Sequence, residues 1–416
     1  MHYTSGGAFA NAMTSRERVL AAFAHRLPDR VPIDFSGHRS SGIAAVAYAR
    51  LRKHLGLAEK PVRVYDPVQQ LAIVHPDVLD RFGVDTIELG RGFAQDDACW
   101  AGWTLPDGTP CQMPVWAQPE RDRAGWVLRS KSGRELARMP AGALTFQQCY
   151  FPLAEQEQPL AAALDECSGT AMASPPGPLA EGPEGFRRLE AGARALRAST
   201  DRAILGLFGG NFFEAGQFLY HNDNFLMMLA SEPAKVHSFL DQLTELHLAA
   251  LERFLRAVGP SIDIICFTDD LGMQTGPLIS VKMYREFFKP RHAALWKRAK
   301  QLAKVKVMLH SCGGIRELLP DLIEAGLEAV NPVQTSCRGM DPKSLKTQFG
   351  RDLVFWGGGC DTQTSLALDT PEAVRQHVRR RVKTLAPGGG FVFQQVHNIM
   401  ANVPPENVVA MLTAVN

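Results

Sequence analysis

No stretch of this 416-residue chain stays apolar for the roughly 18 residues that a membrane-spanning helix needs. No membrane partner is expected. A dominant charge is missing too: 45 Lys and Arg stand against 43 Asp and Glu, a formal net charge of +2. The run Arg379-Arg380-Arg381 reads as a solvated helix face, so no nucleic-acid partner is expected. Cysteines number only 8, too few for a disulfide framework in so long a chain. The start, Met1-His-Tyr-Thr-Ser-Gly-Gly, has neither the positive charge nor the apolar core of a secretory signal. The expected compartment is therefore the reducing cytoplasm, where cysteine is more often buried, metal-bound or catalytic. Repeats and low-complexity tracts are also lacking. What remains, 45% hydrophobic and 21% charged residues, is the composition of a globular protein with an ample core.

Residues 1–12 are expected to form a disordered extension. Thr14-Ser-Arg-Glu17 then makes a capping-box pattern for a helix over Ser15–Ala24. From there short β-prone runs alternate with helical spacing: Asp29–Phe35, Gly83–Leu89, Ala203–Gly210, Ile262–Phe267, Ala303–His310, Ala329–Pro332, Leu353–Trp356 and Gly390–Gln395. Pro175-Pro-Gly-Pro178 interrupts the helical material before the third of these. Such alternation, carried through the chain, predicts an α/β protein, a (β/α)8 TIM barrel, over residues 13–416 as one domain. Residues 91–150 break the rhythm with Trp100, Trp103, Trp116 and Trp126 and the turn pairs Asp107-Gly108 and Ser132-Gly133. They are expected to form a β-rich insertion capping the barrel mouth.

In such a barrel the chemistry sits at the carboxyl ends of the strands. His310-Ser-Cys312-Gly-Gly314 lies at one such end, and Gly357-Gly-Gly-Cys360 at another. One imidazole and two thiols make a soft ligand trio with an open position, the pattern of a catalytic zinc. The competing reading is a core histidine with two buried thiols. Cys337, after the sixth strand, is a rival ligand. Glu214 follows the third strand as a candidate fourth ligand or base, or as a carboxylate favoured by a helix N-terminus. Asp269 and Asp270 end the fourth strand as candidate acid–base groups, or as turn caps. His397 faces the same mouth as a third catalytic candidate. His38 and Arg39, which suit an anionic group, join Gln274 and Asn398 as candidate substrate-binding residues.

From about Thr14 onward the chain resembles the uroporphyrinogen decarboxylase superfamily. The resemblance is carried by Arg16-Glu-Arg18 with Asp29-Arg-Val-Pro32, by Phe213-Glu214-Ala-Gly-Gln217, and by Asp269-Asp270-Leu-Gly-Met-Gln274. Tyr284-Arg-Glu-Phe-Phe-Lys-Pro290 and His397-Asn398 before Val403-Pro-Pro-Glu406-Asn407 complete it. It implies a (β/α)8 barrel. The haem-pathway branch holds its substrate's carboxylates with an arginine-rich N-terminal segment and needs no metal. Here that place reads Phe35-Ser-Gly-His-Arg-Ser-Ser-Gly42, with a single arginine. The corrinoid-dependent methyltransferase branch carries His-x-Cys and a later Cys as zinc ligands, matched by His310, Cys312 and Cys360. An Asp-x-His-x-x-Gly cobalamin signature is absent, so the corrinoid would arrive on a separate protein or free. Val396-His397-Asn398 departs from the family's Gly-His-Asn, and the longer, tryptophan-rich insertion argues against borrowing any one substrate.

The resemblance therefore implies a zinc-dependent methyltransferase moving a methyl group between a small molecule (thiol, methyl ether or methylamine) and the cobalt of a corrinoid (cobalamin). The rivals are a metal-independent decarboxylase acting on another substrate and a non-catalytic corrinoid or tetrapyrrole binder.

Overall fold

The computed structural model describes residues 12–93, 96–130, 132–167 and 182–416. Most of the expected N-terminal extension and the Pro175–Pro178 interruption lie outside the described residues. Seven parallel strands make one curved sheet: β1 (Thr86–Glu88), β2 (Ala203–Gly209), β3 (Ile264–Thr268), β4 (Lys306–His310), β5 (Ala329–Asn331), β6 (Val354–Trp356) and β7 (Phe391–Val392). Each pairs in parallel register with the next.

The eighth staves position is filled differently from the expectation. Asp29–Phe35 does not form a ladder strand; Ile33 alone bridges to Phe393. Asp34 N–H donates to Phe393 O, Phe393 N–H to Pro32 O, and Asp85 N–H to Ile33 O, each at 2.8 Å. Pro32 has no N–H to give, and Ser36 turns to φ 63°, so pairing stops after one residue. Those bonds still join β1 to β7 and close the (β/α)8 barrel.

Strand parity sorts the side chains. Ala203, Leu205, Leu207, Ile264, Cys266, Met308, Ala329, Val354, Trp356 and Val392 form one buried cluster with Val19, Ala22 and Phe23 of the helix Ser15–Phe23, which plugs the barrel from below. The alternate residues Ile204, Ile265, Phe267, Val307, Leu309, Val330, Phe355, Phe391 and Phe393 belong to the outer layer, against the helices. With a two-residue repeat, His310 follows Met308, and Asn331 follows Ala329, onto the inner face. The plug helix has the expected capping box, Thr14 with Glu17.

The β-rich insertion is present as a two-stranded and a four-stranded antiparallel sheet between Trp100 and Gln148. Gly108 and Gly133 take the positive φ (88° and 83°) that their hairpin turns require. Trp103 and Trp126 pack on each other with ring centroids 4.9 Å apart. The insertion meets the barrel through Phe146 N–H to Val68 O and Gln148 Nε2 to Phe218 O. Among the described residues no helix is long and apolar enough to cross a membrane.

Candidate metal centre

His310 ends β4 with its ring buried. Its Nδ1 lies 2.7 Å from Asn331 Oδ1, at the end of the neighbouring strand β5. The Asn331 amide is itself oriented, because its Nδ2 donates to Trp356 O (3.0 Å) and to Gln394 Oε1 (2.7 Å). Its oxygen must therefore face the imidazole, so His310 carries its proton on Nδ1 and presents the Nε2 lone pair inward. Gln394 is anchored in turn by Nε2 donating to Ser40 O (3.0 Å), and its oxygen meets His38 Nε2 at 3.2 Å. His38 Nε2 stands 3.4 Å from Asp34 Oδ2, which also accepts the Trp356 indole N–H at 2.7 Å. Burial alone would raise the Asp34 carboxyl; the His38, Trp356 and Thr86 donors outweigh it and hold its pKa below the usual value.

The turn after β4 brings Cys312 Sγ to 3.4 Å from His310 Nε2. Asp270 holds that turn by accepting Cys312 N–H at 2.7 Å, and its Oδ1 is 3.7 Å from His310 Nε2. Gly313, at φ 88°, is needed because a Cβ there would lie 2.2 Å from the Gly272 carbonyl carbon. The His397 ring stands 5.5 Å from that of His310. His310, Cys312 and His397 each offer a ligand atom, and the three atoms lie within 4.8 Å of one another.

The trio expected from the sequence thus changes in one member. Cys360 is buried but lies in the outer apolar layer with Phe393, and it bridges to Gln395 in parallel register. In-register neighbours share a sheet face, so both point away from the barrel axis. The Cys360 thiol turns toward Asp361 O (3.8 Å), and burial raises it, with Asp361 adding and Arg381 opposing. Cys337, the rival ligand, donates to Gln274 Oε1 at 3.5 Å.

Asp269, expected as a catalytic group, serves the backbone instead. It is fully buried and accepts the N–H groups of Phe212, Phe213 and Glu214 at 2.8–3.2 Å, plus His292 Nε2 at 3.1 Å. Asn398 is spent in joining loops: its Oδ1 accepts Gly42 N–H and its Nδ2 donates to Gln69, both at 2.8 Å. Gln274 donates to Ser336 O at 2.9 Å, on the rim. Arg39 is buried in an ion pair with Asp66. His38 is a member of the network behind His310. Asp270 and Glu214 remain near the centre.

Glu214 is buried, and its Oε2 has no hydrogen-bond partner. Burial, then the charges of Asp270 and Asp269, push its carboxyl well above the ordinary range. Burial, then Asp270 and Glu214, raise the Cys312 thiol. Burial lowers His310, against opposing effects of Asp270 and Asn331, and it lowers His397 to about 3 with the help of neighbouring His310. Two neutral imidazoles beside a thiol are a donor set that fits zinc. Sequence reasoning missed Asn331, Gln394, Asp34 and Ser40, whose Oγ lies 3.4 Å from His310 Nε2. Their signal was there: polar residues at strand ends whose parity points inward.

Comparison with known proteins agrees with this architecture. Uroporphyrinogen decarboxylases of Psychromonas ingrahamii and Serratia proteamaculans are 26% and 28% identical over 192 residues, covering 45% of this chain and 50% of theirs. The chain spans about half the length of the curated relatives it matches. A methyltransferase from Methanosarcina mazei superposes with a TM-score of 0.57 at 17% identity, over 97% of this chain and 98% of that one, a likeness of fold. The family model for Uroporphyrinogen decarboxylase (URO-D) matches residues 189–416, which hold β2 to β7 and every member of the candidate centre. On that match, over more than half of its length, the chain belongs to the uroporphyrinogen decarboxylase (URO-D) family.

Proposed function

We propose that this chain is a zinc-dependent methyltransferase that moves a methyl group between the heteroatom of a small molecule and the cobalt of a corrinoid, taken as a second substrate from a carrier protein or free. The observation that carries the reading is the convergence of His310 Nε2, Cys312 Sγ and His397 within 4.8 Å at the strand ends. Zinc held by these three would supply a Lewis acid with a position open to a thiol, ether or amine. Asn331 keeps the His310 lone pair aimed at that position. Asp270 holds the Cys312 turn in place through the backbone. Glu214, its carboxyl raised by burial, would be the group that gives a proton to a departing alkoxide, thiolate or amine.

The curated relatives favour a second reading, a metal-independent decarboxylase. Against four-carboxylate binding stands Arg39, the one arginine of its loop, which is already paired with Asp66. Elemental analysis of the purified protein decides between the two. About one zinc per chain, lost in Cys312→Ser and His397→Ala but kept in Cys360→Ser, supports the methyltransferase. A metal-free protein, even after reconstitution under reducing conditions, supports the decarboxylase.

A further inference from the structure

We propose that His292 is a positioning residue, which sets the Glu214 carboxyl against the metal-binding turn by way of the Asp269 carboxylate; this rests on the metal-centre reading above.

Asp269 directly follows β3 with no exposure to solvent, and a buried charge there needs donors on every side. One set comes from the start of the helix Phe213–Tyr220: Oδ1 accepts Phe213 N–H at 2.9 Å and Glu214 N–H at 2.8 Å, and Oδ2 accepts Phe212 N–H at 3.2 Å. These are orphan donors of a helix N-terminus, so the carboxylate and the helix fix each other. The opposite side is covered by His292 Nε2 at 3.1 Å from Oδ2.

His292 has no freedom of its own. Its Nδ1 faces the Tyr284 hydroxyl at 3.1 Å, so the proton sits on Nε2 and points at Asp269. Its ring stacks on Trp296 at 5.0 Å and 6°, and meets Phe212 edge-on at 5.4 Å. Tyr284 opens the π-helical turn Tyr284–Phe288, a local widening of a kind often found at functional sites. A rigid line thus runs from Tyr284 through His292 and Asp269 to the backbone of Glu214.

At the end of that line is a side chain the protein leaves unfinished. Glu214 is buried with Oε2 lacking a partner, while its backbone N–H is held by Asp269 Oδ1 at 2.8 Å. An orphaned buried oxygen costs stability unless something outside the chain uses it. A carboxyl with one free oxygen, its backbone held in this way and its charge felt at Cys312, is placed to tune the metal-binding turn.

The test is a double-mutant cycle on zinc affinity, read by competition with a chromophoric chelator, for variants whose folding is first checked by thermal unfolding. Glu214→Gln and His292→Asn, whose amide is too short to reach Asp269, should each weaken zinc about tenfold. The double variant should be no weaker than about tenfold, because both changes remove one interaction. His292→Gln, which can restore the donor at the Nε2 position, should recover affinity to within about threefold. Additive losses of about a hundredfold, no loss in either single variant, or failure of His292→Gln to recover would overturn the proposal. If the native chain binds no zinc, the metal-centre reading fails, and Cys312 alkylation by iodoacetamide in the metal-free chain takes over. Equal, non-additive acceleration by Glu214→Gln and His292→Asn still supports the positioning role; unequal or additive effects end it.

Discussion

The two ends of this barrel handle buried polar groups in opposite ways. Below, two buried carboxylates each have two arginine partners: Asp85 takes Arg18 at 2.6 Å, Arg30 at 2.7 Å and Ile33 N–H at 2.8 Å. Asp263, at the foot of β3, takes Arg16 at 2.6 Å, Arg197 at 2.9 Å and Ile204 N–H at 3.0 Å. Above, the polar groups are oriented by one another, and Glu214 Oε2 and Thr268 Oγ1 are left without partners. A barrel spends its lower face on stability and its upper face on chemistry.

Breaking the lower end should cost most. Asp85→Ala takes away the buried carboxylate that Arg18 and Arg30 share and should lower unfolding free energy by about 3–5 kcal/mol in a urea titration. If the protein still folds, its zinc affinity should match the native value. The upper end should respond the other way round. Asn331→Leu frees the His310 ring and should weaken zinc by about 10–100-fold, measured by chelator competition, with little change in the urea midpoint.

Cys360→Ser sharpens the contrast between the two sheet faces. It places a hydroxyl in the outer apolar layer and should cost about 1–3 kcal/mol in stability while zinc content stays native. A loss of zinc in that variant would restore Cys360 to the ligand set. Zinc affinity should also rise with pH across the neutral range. Cys312 must shed its proton on binding, and its thiol is raised, whereas burial already keeps both imidazoles neutral there. Affinity titrations at several pH values check the sign.

The smallest effect belongs to Asp29, held from the usual 3.8 down to about 2, first by its hydrogen bond from Arg18. A depressed carboxylate stabilises above its unfolded pKa, and that contribution is lost as pH falls toward 2. Acid unfolding between about pH 4 and 2 should therefore be shallower in Asp29→Asn than in the native chain.

Much of the site was legible because it is local. His310 and Cys312 sit two positions apart in a glycine turn after an apolar run, and the fold delivers them together. Seven of the eight expected strands are ladder strands in the sheet. The strand at Asp29–Phe35 was overread, since apolar residues there suggested a ladder that Pro32 cannot sustain. Between the two expectations for Asp269 the sequence could not choose, because a carboxylate beside another carboxylate looks the same whether it faces substrate or caps a helix.

The sequence by itself determined the alternation of strands and helices, the β-rich insertion and the His-x-Cys turn, because each depends on neighbours within a few residues. Only the tertiary structure brings His397, rather than Cys360, beside His310 and Cys312. Cys360 and His397 both follow strands in the same mouth, and composition favours the thiol. The pairing of Cys360 with Gln395 turns that thiol to the outer face, while His397, beyond the last strand, reaches His310. A sheet face is set by the parity of pairing between distant segments, a relation that no local stretch of sequence contains.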